Sequence, residues 1–139
     1  MLWRKHAQED ARVTSMQQMR SKAILLVEDN EQTCTAMKTL LELESYEVTT
    51  VGDGERGLEL LRRGLRPGLI LLDLHIPVKD GFQFRAEQLQ DPELAVIPVV
   101  VYSGAPDVAE KANALGAVAS LHKPIEIDTL LEVVARYCA

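Results

Sequence analysis

Glu28 and Asp29 follow one apolar run, Asp73 follows a second, and Lys123-Pro124 follow a third. Carboxylates held side by side repel one another, so a fold that gathers them supplies a cation or leaves them open to water. Glu28, Asp29 and Asp73 together would make a hard, oxygen-rich set suited to Mg²⁺, which binds through a few carboxylates and keeps waters that a phosphate can displace. A lysine beside them is a compact point charge with three donors, able to hold a phosphoryl oxygen or to neutralise a carboxylate. Metal and ammonium together favour phosphoryl chemistry. Each residue alone has a plainer explanation: Asp29 or Asn30 as a helix N-cap, Asp73 as the start of a turn before Pro77, Lys123 as a solvated surface lysine. The joint placement favours a site, because each anchor lies just past an expected strand and ligands of open α/β sheets bind outside the strands' carboxyl ends.

The elements that must position these residues follow from the hydropathy pattern. From Lys22 onward, short apolar runs alternate with helix-period segments, the signature of repeated βα units and a parallel sheet. Strands are expected at 23–27, 47–51, 69–72, 97–102 and 118–121. The first and third are almost wholly apolar, as strands covered on both faces are, and the third is expected to be central. The second is β-branched but less apolar, which suits a sheet edge. The helix expected over 31–44 should bury Cys34, Met37, Leu40 and Leu41. The next should bury Leu58, Leu61 and Leu65 before the Pro67-Gly68 break, and a short third helix offers Phe82 and Leu89 as inward residues. Val108, Ala112 and Leu115 mark a fourth helix, with Gly116 as a positive-φ terminator. Ile127, Leu130, Leu131, Val134 and Cys138 form one stripe of the fifth.

The 139 residues, 47% of them hydrophobic, fit one domain with a real core, and leave no room for an attached output domain of ordinary size. Residues 1–21 lack sustained periodicity and are expected to be a flexible extension preceding a domain over 22–139. The net charge of −6 and the scattered basic residues argue against a nucleic-acid surface, and Arg62, Arg63 and Arg66 are expected to be the solvated end of a helix. Cys34 and Cys138 match no zinc spacing and are expected to be thiols in a reducing compartment. No apolar run approaches the roughly 18–20 residues that cross a bilayer, and no secretory signal stands at the N-terminus. The expectation is a cytoplasmic protein with no membrane partner.

The segments ILLVEDN (24–30), DLHIPVKDG (73–81), VVVYSG (99–104) and HKP (122–124) occur in an order and spacing that resemble the receiver domain of two-component response regulators. Each segment is weak, but their combination is specific. The resemblance implies a flavodoxin-like, doubly wound α/β fold with a five-stranded parallel sheet in the order 2-1-3-4-5 and helices on both faces. It implies that Asp73 accepts a phosphoryl group from a phosphohistidine. Glu28, Asp29, Asp73 and the backbone carbonyl of His75 would hold Mg²⁺, the Ser103 hydroxyl would turn toward the phosphoryl group, and Lys123 would contact one of its oxygens. A cis Lys123–Pro124 bond is also implied. The implied donor is a histidine kinase or histidine phosphotransfer protein. The output is a changed protein-binding surface or onward relay, with the fourth helix, fifth strand and fifth helix as the face for docking or for a homodimer.

The His75 side chain is expected at the mouth of the site, outside the metal's ligands, since Mg²⁺ prefers oxygen. The chain departs from the family pattern at Ser120, three positions before the lysine, where an aromatic residue often acts as a switch. Tyr102 is read as a core or partner-face residue and not as its replacement. The expected activity is therefore that of a phosphoacceptor signalling domain, not of a conventional enzyme. One alternative is a receiver that binds partners without phosphorylation. A more distant one is a small Mg²⁺-dependent aspartate phosphatase of the haloacid dehalogenase type, but that pattern places a second Asp two residues after the nucleophile, where this chain has His75.

Overall fold

A computed structural model describes residues 22–138; the extension expected over 1–21 lies outside the described residues. Five strands, β1 (Ala23–Val27), β2 (Glu47–Val51), β3 (Leu69–Asp73), β4 (Val99–Ser103) and β5 (Ala119–His122), form one sheet in the order β2-β1-β3-β4-β5. All neighbouring pairs are parallel. The major helices are α1 (Glu31–Leu43), α2 (Gly54–Arg62), α3 (Gly81–Gln90), α4 (Val108–Leu115) and α5 (Ile127–Tyr137), with a helical turn at Pro92–Ala95 between α3 and β4. This is the expected flavodoxin-like architecture, with β2 at one edge and β3 at the centre.

Strand alternation divides the core in two. Leu25, Val27, Ile70, Leu72, Val99 and Val101 face α2, α3 and α4 and pack on Leu58, Leu61, Phe84, Val108 and Ala112. Ile24, Leu26, Leu69, Leu71, Val100, Tyr102 and Leu121 face α1 and α5 and pack on Met37, Leu41, Leu130 and Val134. Full burial of each such aliphatic side chain contributes about 1.5–3 kcal/mol, so the three inner strands dominate the hydrophobic term.

Local signals set the helix ends. Asn30, not Asp29, caps α1, its side chain accepting the Thr33 N–H at 2.9 Å. Asp80 and Gln83 form a reciprocal capping box at the start of α3. Gly116 ends α4 in the left-handed conformation at φ 68°. Two glycines allow backbone to approach backbone. A Cβ on Gly54 would lie 2.1 Å from the Lys79 carbonyl oxygen, and one on Gly81 would lie 2.7 Å from Leu74 Cα. Together they press α2 and α3 against the loop that leaves β3.

Several sequence expectations shift. β4 begins two residues later than expected, after Pro98, and extends to Ser103; β5 is displaced by one residue, so Lys123 follows it directly. Leu89 is 48% exposed, and the inward face of α3 is Phe84, Arg85 and Gln88. The polar pair is accommodated because its groups are satisfied: Arg85 donates to the Leu115 and Gly116 carbonyls and to Gln88, whose amide donates to the Leu94 and Ile97 carbonyls. Ile127 is 51% exposed at the first turn of α5, ahead of the buried stripe at Leu130 and Val134. Cys34 and Leu40 are half-buried, with Met37 and Leu41 carrying the buried face of α1. Arg62, Arg63 and Arg66 are exposed and paired with Glu87, Glu59 and Glu93, as the solvated-end reading requires.

Candidate functional site

The alternation that builds the core continues one step past the strand ends. Leu26 and Leu71 face α1 and α5, so two residues on, Glu28 and Asp73 do the same; Leu121 likewise sets the side for Lys123. Tyr102, in register with Asp73 on the adjacent strand, points to that side as well. The sheet therefore delivers two carboxylates, an ammonium and a phenol to one place at its carboxyl edge, and Asp29 adds a third carboxylate from the turn into α1.

Glu28 is 2% exposed and Asp73 2% exposed, whereas Asp29 is open to solvent. One oxygen from each of the three carboxylates lies within 4.8 Å of the others. The Lys123 ammonium donates to Asp73 Oδ2 at 2.8 Å and stands 3.7 Å from Glu28 Oε1. Asp73 Oδ1 accepts the His75 backbone N–H at 3.0 Å, so both of its oxygens are oriented. Glu28 Oε2 accepts the Asn30 N–H at 3.0 Å, and Oε1 accepts the Tyr102 hydroxyl at 2.8 Å. Burial acts to lower the Lys123 pKa, but the Asp73 hydrogen bond and the charges of Asp73, Glu28 and Asp29 outweigh it and hold the ammonium above its ordinary value. Burial, followed by the Glu28 charge, pushes the Tyr102 phenol well above its ordinary value, so it is a donor throughout the neutral range.

Of the residues expected at the site, Glu28, Asp29, Asp73 and Lys123 are brought together. Ser103 is fully buried at the end of β4, its hydroxyl accepting the Ala105 N–H at 3.0 Å in its own loop. The His75 side chain is exposed. The Lys123–Pro124 bond is cis. Ser120 is half-buried in β5 beside Val101. Tyr102, expected as a core or partner-face residue, lies in the core and also brings its hydroxyl to Glu28. Its parity with Asp73 was the available signal, but using it required knowing that β4 lies next to β3.

The cluster suits a hard divalent cation in the chemistry of its donors: carboxylate oxygens, two of them buried, close enough together to share one ion. Comparison with known proteins agrees with the fold. The family model for the response regulator receiver domain matches residues 24–135. The polar-differentiation response regulator DivK of Brucella anthropi is 30% identical over 118 residues, covering 84% of this chain and 95% of DivK. The receiver domain of a sensor histidine kinase from Pseudomonas aeruginosa PAO1, solved with magnesium coordinated in its active-site cleft, superposes with a TM-score of 0.76 at 28% identity, covering 85% of this chain and 98% of its own. The phosphorylated cyanobacterial phytochrome response regulator RcpA superposes with a TM-score of 0.70 at 35% identity over 82% of this chain and 89% of its own. With the sheet order, the acidic cluster at its carboxyl edge and a family match spanning most of the sequence, the chain belongs to the response regulator receiver domain family.

Proposed function

We propose that the chain is a phosphorylation-switched signalling module in which Asp73 accepts a phosphoryl group from a phosphohistidine of a histidine kinase or histidine phosphotransfer protein. The observation that carries this reading is the Lys123 ammonium 2.8 Å from Asp73 Oδ2, within a carboxylate cluster whose oxygens lie within 4.8 Å of one another. In the transfer an Asp73 oxygen bonds to phosphorus, the bond from phosphorus to the imidazole nitrogen breaks in line with its electron pair left on that nitrogen, and, with a proton already on the other ring nitrogen, an acyl phosphate and a neutral imidazole result. Glu28, Asp29, Asp73 and the His75 carbonyl would hold Mg²⁺, the ion coordinated in the active-site cleft of the Pseudomonas receiver. When bound, the cation neutralises charge on the phosphoryl oxygens. Lys123 would turn from the Asp73 carboxylate to a phosphoryl oxygen, and Ser103 would give up the Ala105 N–H to do likewise.

An apolar groove lined by Met37, Leu40, Pro124, Ile125 and Leu130 shares Lys123 with the pocket, which supports docking of the donor against α1 and the start of α5. Output then follows from a two-state equilibrium biased by the new phosphoryl contacts, read by a cytoplasmic partner, by a second copy on the α4, β5 and α5 face, or by onward relay. Intact mass after incubation with a phosphohistidine or small-molecule phosphoryl donor tests the reading. A single adduct that requires Mg²⁺ and is lost in Asp73→Asn is expected. No adduct, with a donor proven on another receiver, would overturn phosphoacceptance in favour of binding without phosphorylation.

A further inference from the structure

Tyr102 brings into the pocket a hydroxyl that phosphoacceptance does not use. Its side chain is fully buried in the face between the sheet and α1 and α5. A buried phenol must find an acceptor, and this one finds a metal-site carboxylate, Glu28 Oε1, at 2.8 Å. The same oxygen stands 3.7 Å from the Lys123 ammonium, which bonds to Asp73 Oδ2 at 2.8 Å and lies 5.3 Å from the centre of the Tyr102 ring. Oε1 thus has two candidate partners of different consequence. A hydroxyl satisfies it and leaves the carboxylate's charge intact; an ammonium satisfies it and cancels that charge.

We propose that Tyr102 is a positioning residue of the divalent-cation site: its hydroxyl holds Glu28 Oε1, preserves that carboxylate's charge for a cation, and leaves Lys123 to Asp73. Asn30 N–H holds the other oxygen, Oε2, at 3.0 Å, so the carboxylate is fixed from both ends. Without the hydroxyl, Lys123 is the nearest substitute for Oε1 and is then shared between two carboxylates, competing with an incoming cation. The inference rests on the cation-binding reading above.

The test is Mn²⁺ binding to the full chain, read from the electron paramagnetic resonance signal of the free ion, for wild type, Tyr102→Phe, Lys123→Met and the double variant. Phe keeps the ring and its contact with the ammonium and deletes only the donor. Tyr102→Phe is expected to weaken binding roughly tenfold, the lower end for a hydrogen bond to a charged group. In the Lys123→Met background the same change is expected to cost less than about twofold, because no competing ammonium remains. Tyr102→Phe binding within about twofold of wild type would overturn the proposal, and so would an equal loss in both backgrounds, the mark of a merely structural role. A second measurement needs no variant to fold: Mg²⁺ titration of the wild type should perturb the near-ultraviolet tyrosine absorbance along the same binding curve, and a flat tyrosine band during demonstrable binding would count against Tyr102. A wild type that binds neither ion would bring down the cation-site reading together with this one, whereas binding that ignores the hydroxyl brings down this one alone.

Discussion

At Lys123 burial and charge act in opposite directions, and charge wins because two of the three facing carboxylates are themselves buried. Removing one partner of a buried pair costs about 3–5 kcal/mol. Lys123 is about a third exposed, so Lys123→Met is expected to lose less, about 1–2 kcal/mol at neutral pH, measured by urea unfolding. The pH dependence has a definite sign. The folded pKa is raised, so the stabilisation is complete below the unfolded lysine value of about 10.4 and is lost as pH rises through the folded value. The gap between wild type and Lys123→Met should therefore be constant through neutral pH and close only in strongly alkaline buffer. A gap that widened with pH would mean that something other than the ammonium stabilises the pocket.

The loop between β3 and α3 shows how an element can be held in place against local preference. It carries the His75 backbone into the site just past Asp73 at the end of β3, and within it Val78 sits at φ 66° and is 78% exposed. A β-branched residue gains nothing from burial there and pays the left-handed penalty of about 1–2 kcal/mol. The conformation is imposed from both sides, by the close approaches at Gly54 and Gly81 and by Lys79, which pairs with Glu55 on α2 and Glu87 on α3. Val78→Asn, which tolerates this region, is expected to stabilise the fold by about 1 kcal/mol without altering cation affinity. Urea midpoints at unchanged m-value would measure it, and a destabilised Val78→Asn would show that the valine makes a contact worth more than its strain.

For the molecule as a whole, the site is a seam where β1, β3, β4 and β5 end together, and an unfolded chain keeps only the neighbours Glu28 and Asp29 side by side. A divalent cation binding only the native state should raise stability by about 2.7 kcal/mol at a hundredfold excess over its dissociation constant. The urea midpoint should rise with Mg²⁺ at constant m-value, and Asp29→Asn, which removes the exposed carboxylate of the cluster and leaves the two buried ones in place, should shrink that rise. A midpoint that rose as much in Asp29→Asn would point to general screening of the −6 net charge and not to the cluster.

The fold class and the gathering of Glu28, Asp73 and Lys123 were legible in the residues alone, because both follow from local, repeating signals. Apolar runs such as 23–27 and 69–72 can satisfy their burial only as inner strands, and Glu28, Asp73 and Lys123 end up together once those strands lie parallel. The ends of elements were less legible: Val118, expected as the first residue of β5, lies just before it and is 39% exposed, although its N–H already bonds to the Val99 carbonyl. Only tertiary structure decided which polar groups go inside. Arg85 and Gln88 are buried because carbonyls 30 and 9 residues away in the chain wait for them, and Tyr102 becomes part of the site because β3 brings its register partner Asp73 alongside it and β1 supplies the acceptor two strands away. Partners so distant in sequence leave no periodic trace, since a hydrogen bond is made by one pair of atoms in one place, while hydrophobic burial is shared by every residue of a face.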